Sequence, residues 1–223
     1  MQWVNTITEQ NDPWFILFAV LLLVLGLMRQ SEGERLRIFL RSFFNPLLLS
    51  QQVRQERAYN RITVPVFGFI IFTLSAFFLH LMDWLAWELP GGFWSRFGIL
   101  VILLTSATLL RFVVYVGFSA LFDLSSVLRL HNLQWLLHNF VMAIALLPIT
   151  IVVTYGPASL FTPLMFIGLS ILFSTYLLRA FRLFGMTQSE LHTPLLYNVL
   201  YFCALEILPP VLIAVGVWRE VVA

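Results

Sequence analysis

Apolar positions in this chain are gathered into long unbroken runs rather than spaced along faces. Six runs stand out, over about 13–29, 62–82, 97–119, 134–154, 161–183 and 195–217, the first being the shortest. Each approaches or exceeds the roughly 20 residues that a helix needs to cross a hydrocarbon core about 30 Å thick. In lipid every backbone polar group needs an internal partner, which leaves only helices or a closed barrel. The runs lack the period-2 alternation of barrel strands, so they predict helices. Pro13, Pro65 and Pro194 fall in the first turn of their runs, where a missing N–H costs little. Trp14, Trp84, Trp87, Trp94 and Trp218 lie near run ends, as in the aromatic belts of membrane proteins.

One segment has a different pattern. Between 34 and 49, Leu36, Phe39, Leu40, Phe43, Phe44, Leu47 and Leu48 recur at helical spacing, while Arg35, Arg37, Arg41, Ser42 and Asn45 take the other face. A short basic amphipathic helix beside a span reads as one lying in the headgroup region. There each of Arg35, Arg37 and Arg41 would gain roughly 1 kcal/mol from anionic lipid headgroups. The alternative is that the stripe packs on the protein's own spans; the two readings are compatible. Pro46 ends or kinks this helix.

Composition strengthens the membrane reading. Of 223 residues, 60% are hydrophobic and 11% charged, against roughly 25% charged in soluble domains. Mean hydropathy is +0.91. The expected fold class is all-α: a polytopic helical membrane protein of about six transmembrane helices plus a cytoplasmic amphipathic interfacial helix, forming a single integral membrane domain over 1–223. The first twelve residues contain Glu9 and Asp12 but no Lys or Arg, so a cleavable signal peptide is not expected and the first run reads as a retained anchor.

Charge distribution sets the orientation. The chain has no lysine. Arg29, Arg35, Arg37, Arg41, Arg54, Arg57 and Arg61 lie between the first two runs, Arg129 between the third and fourth, and Arg179 and Arg182 between the fifth and sixth. With six spans these three loops share one side, opposite Arg96 and Arg219. The positive-inside rule makes that side cytoplasmic, with both termini outside. The net charge of +2 carries no indication of nucleic-acid binding.

Function in such a protein is sought among polar groups at apolar depth. Arg111 and Glu206 qualify. Arg111 stands about 12 Å, and Glu206 about 16 Å, from the cytoplasmic ends of their spans at 1.5 Å per residue, a difference an arginine side chain can bridge. Tyr115, His138, Asn139, Asn198 and Tyr201 fall at comparable depth and would complete an inward-facing polar site between spans three, four and six. Pro209 and Pro210 remove helix bonds to the carbonyls of Leu205 and Glu206, so the sixth span should kink beside the carboxylate, an arrangement used at ion sites in transporters. The competing reading is a structural Arg–Glu pair that fixes helix register.

No nucleotide-binding loop, HExxH, CxxC or GxSxG occurs, and Cys203 is the only cysteine. His131 and His138 are spaced for one helix face, His192 falls in a loop, and His80 stands beside Asp83. None of these makes a matched ligand pair, so neither metal nor cofactor is expected.

The run LLYNVLYFCALEILPPVLI, with Tyr201, Cys203, Glu206, Ile207 and Pro209, resembles the closing signature of a multi-pass integral membrane family of Bacteroidota that has no assigned activity. HNFVMAIALLPITIVVTYGP, with Asn139, Pro148 and Tyr155, is similar to the same family. The resemblance implies a bacterial inner-membrane protein and singles out Glu206. Three functions stay open: a non-enzymatic accessory or assembly subunit of a larger envelope complex, partnered by other membrane subunits; a small transporter or lipid-handling carrier using Arg111 and Glu206; and an intramembrane enzyme acting on a lipid or quinone. The first is the leading expectation.

Overall fold

In a computed structural model of the chain the described residues are 2–44, 60–87, 90–122 and 125–191. They form five long helices and one short turn of 3-10 helix: α1 Gln2–Phe44, α2 Asn60–Trp84, α3 Phe93–Phe122, α4 Ser125–Tyr155, the 3-10 turn Ala158–Leu160, and α5 Phe161–Leu191. All five long helices contain a segment long and apolar enough to cross a membrane: Pro13–Glu34, Thr63–Trp84, Phe93–Val114, Asn132–Tyr155 and Ala158–Arg182. The predicted sixth span, 195–217, lies outside the described residues, as do positions 45–49 of the predicted interfacial helix.

Ring contacts show how the helices run. His80 near the end of α2 stacks on Trp14 of α1 at 4.3 Å and meets the edge of Phe161 at the start of α5. Trp14 also meets Phe93 at the start of α3, and Phe18 meets Tyr155 at the end of α4. One end of the bundle therefore gathers the start of the apolar segment of α1, the starts of α3 and α5 and the ends of α2 and α4, as expected of helices that alternate in direction.

Burial separates a centre from a periphery. Over the 18-residue apolar stretch of each, 61% and 56% of residues are buried in α2 and α4, against 22% in α1 and 11% in both α3 and α5. Phe69, Phe77, Phe140, Leu137 and Leu146 are wholly enclosed. The centre is thus α2 packed along α4, flanked by the other three.

α1 is not one straight helix. Glu32 has φ −138° and ψ 33°, outside the helical region, so the chain bends there before Gly33. The break falls immediately before the predicted amphipathic segment. Beyond it Leu36, Phe39 and Ser42 are buried and Arg37 and Arg41 exposed. Phe39 rests 6.1 Å from Phe140, and Phe43 rests 5.0 Å from His138. The described part of the apolar stripe therefore packs on α4, with Arg37 and Arg41 exposed.

The end of α2 is closed by paired backbone bonds: Ala86 N–H donates to Asp83 O at 3.2 Å and Trp87 N–H to Met82 O at 2.9 Å. This is the Schellman arrangement, whose left-handed position is usually glycine. Here Ala86 occupies it at φ 56°. Ala86→Gly is accordingly expected to stabilise the protein by about 1 kcal/mol, read as a raised midpoint in a detergent unfolding titration. Gly91, at φ 104°, turns the chain into α3.

Candidate functional site

The sequence-derived site residues fall into three groups. Glu206, Asn198, Tyr201, Pro209 and Pro210 lie outside the described residues, as does the side chain of Tyr115. Arg111 is half-buried on α3. His138 and Asn139 lie on α4.

Arg111 places its guanidinium 5.0 Å from the centre of the Trp135 ring of α4. A cation over an indole face is attracted by the ring quadrupole, by about 2 kcal/mol when desolvated. Asn139, one turn on from Trp135, donates its Nδ2–H to the Trp135 carbonyl at 2.8 Å. Trp135→Leu takes the ring from a guanidinium that remains at apolar depth, and should cost about 2 kcal/mol, read by unfolding in mixed micelles.

His138 occupies another face of α4. It is 1% exposed, and its Nδ1 lies 2.8 Å from the Gln134 carbonyl. A carbonyl only accepts, so Nδ1 carries the proton, and in the neutral ring Nε2 is left as an acceptor. Among the described residues that enclosed Nε2 has no hydrogen-bond partner. Gln134, one turn earlier and also 1% exposed, has neither its Nε2 nor its Oε1 bonded among them. The Phe43 ring of α1 lies 5.0 Å from the imidazole, and the Arg182 guanidinium of α5 lies 4.9 Å from the centre of the Phe43 ring. Arg179, one turn back on α5, is 7% exposed. Both guanidiniums lie within electrostatic reach of His138.

The structure thus assembles a buried polar cluster where α1, α4 and α5 meet. Sequence reading singled out His138 in it but missed Gln134 and the inward turn of Arg179. Their signal was available: Gln134 shares a helix face with His138, and Arg179 precedes Arg182 by one turn. The described members of the predicted site occupy two directions on α4, Asn139 beside Trp135 and His138 beneath Phe43.

At the opposite end, His80 Nε2 pairs with Thr154 Oγ1 at 2.9 Å, and Asp83 pairs with Arg96 at 3.3 Å. These partners occupy the two groups in separate interactions. The Asp83–Arg96 pair is solvent-facing and worth at most about 1 kcal/mol. Among the described residues no three metal-ligating side chains come together.

The family model for Domain of unknown function (DUF4271) matches residues 14–217. No curated protein and no solved structure matches the chain.

Proposed function

We propose that this chain, which belongs to the DUF4271 family, is a non-enzymatic polytopic protein of the bacterial inner membrane, serving as an accessory or assembly subunit of a larger envelope complex. In this reading the arginine-bearing end faces the cytoplasm, both termini lie outside, and the host is a Gram-negative bacterium of the Bacteroidota. The partners are other membrane subunits and the bilayer itself.

The observation that carries the reading is the outward face of α5. Ser170 and Ser174 are both exposed there, one turn apart among Ile167, Phe173, Leu177 and Leu178. The Ser170 hydroxyl donates to its own helix at Phe166 O, 2.8 Å away. Small residues four apart on an exposed helix face let a second transmembrane helix approach closely.

The test places a photo-crosslinking residue at Ser170 or Ile167 in cells and follows native migration after mild extraction. The expected result is one discrete protein adduct in stoichiometric amount, with the endogenous protein migrating far above its 25.7 kDa mass. Ser170→Trp should abolish the high-mass form while the protein still inserts. Monomeric migration with crosslinks to lipid alone overturns the proposal.

A carrier is the second reading, favoured by the enclosed Gln134 and His138. It requires Glu206 to act, so Glu206→Gln should abolish activity in an inserted protein. Full complementation by that variant removes this reading.

A further inference from the structure

We infer that the cluster under the amphipathic arm of α1 is a binding site for a phosphate group that carries a neighbouring hydroxyl, supplied by a lipid headgroup or as free hydrogenphosphate, and that the arm is its lid. This goes beyond the accessory-subunit reading and does not depend on it.

The chemistry follows from the unpartnered atoms. Gln134 Nε2 is an enclosed donor; Gln134 Oε1 and His138 Nε2 are enclosed acceptors. A buried polar atom left without a partner costs about 1–3 kcal/mol, and here three occur within one turn of α4. A simple anion would satisfy the donor but offer nothing to the two acceptors. A cation is disfavoured by two guanidiniums: Arg182 lies 4.9 Å from the Phe43 ring that meets His138, and Arg179 lies within electrostatic reach of the imidazole. A phosphate with an adjacent hydroxyl answers all of them. Its anionic oxygen takes the Gln134 amide hydrogen and lies in the field of the two guanidiniums, and its hydroxyl donates to His138 Nε2 or Gln134 Oε1. Arginine's planar fork suits phosphate oxygens.

Access follows from the fold. The atoms are sealed, and the ring directly above His138 is Phe43. Phe43 belongs to the arm that begins at the non-helical Glu32. Gly33 adds freedom at that joint, with no neighbouring atom within 4 Å of where its Cβ would stand. Rotation about Glu32 lifts Phe43 and opens the cluster toward the end where Arg37 and Arg41 are exposed. Those arginines place the arm where anionic headgroups concentrate.

The test uses the full chain in detergent, with bound lipid read by native mass spectrometry. Three lipids are compared: phosphatidylglycerol, which has phosphate and hydroxyl; phosphatidylmethanol, which has the phosphate alone; and phosphatidylcholine. The parent should retain one phosphatidylglycerol, about tenfold more tightly than phosphatidylmethanol and more tightly still than phosphatidylcholine. Gln134→Leu should lose the preference for both anionic lipids over phosphatidylcholine. His138→Phe should lose only the preference for phosphatidylglycerol over phosphatidylmethanol. Gln134→Leu removes unpaired polar atoms, so it should melt at or above the parent temperature; that separates lost binding from lost folding. Inorganic phosphate that displaces the lipid at millimolar concentration identifies the free anion as the source, and failure to displace identifies the headgroup. Equal retention of all three lipids, or an unchanged preference in Gln134→Leu, overturns the inference.

Discussion

Phe140→Ala is expected to cost about 2–3 kcal/mol, the largest loss from any single truncation in the bundle. Phe140 is 0% exposed on α4 and is approached by two rings from different helices, Phe69 of α2 at 5.7 Å and Phe39 of α1 at 6.1 Å. Removing it leaves a void lined by three helices that cannot all close in at once. In a water-soluble core such a change costs about 3–5 kcal/mol, part of it the lost transfer from water. A ring leaving the centre of a membrane protein meets lipid tails, so that part shrinks and the packing loss remains. Phe173→Ala serves as the control: Phe173 is 68% exposed and its loss should stay within about 0.5 kcal/mol. Reversible unfolding in mixed micelles reads both. Equal effects at the two positions would mean that α4 is not the centre.

Gly168→Ala should destabilise by about 1–3 kcal/mol, although alanine is the better helix former. A methyl at Gly168 would collide with the Cε2 and Cζ atoms of Phe77, whose side chain is fully buried on α2. The glycine is the notch that seats α5 against this ring. Gly68 tests the argument from the other side. No atom lies within 4 Å of a Cβ built there, so Gly68→Ala should gain roughly 0.5–1 kcal/mol from helix propensity alone. Opposite signs for one chemical change at two helical glycines are the expected outcome. A loss at both would point to helix flexibility rather than close approach.

The helices were legible in the sequence because run length and composition report on them directly. The first five predicted runs each correspond to one of the apolar helices. The amphipathic segment was also legible, since its stripe is the one place where a helical period appears against polar residues. Which helix sits in the centre was not. α2 and α3 are both strongly apolar, yet one is mostly enclosed and the other mostly bare. In water a buried face differs in polarity from an exposed one, whereas lipid tails and a protein interior do not differ. Periodicity therefore cannot tell them apart. The candidate site suffered similarly. Arg111 was found as a charge in an apolar run, but its partner Trp135 reads as an ordinary belt aromatic. Gln134 is a neutral side chain near a predicted span boundary, and only its burial sets it apart.

The bend at Glu32 divides α1 into parts whose partners are synthesised at different times. In a chain inserted as proposed, Trp14 waits for α2 to bring His80 and for the start of α3 to bring Phe93. Phe39 and Phe43 wait for Phe140 and His138, which the ribosome adds about a hundred residues later, on the order of ten seconds at ordinary elongation rates. Throughout that interval the arm has no groove to enter. Its arginines and apolar stripe can rest only on the bilayer surface. On the proposed insertion, lipid binding and internal packing are then successive stages in the biogenesis of one segment, and the arm comes to rest on the bundle after α4 has arrived.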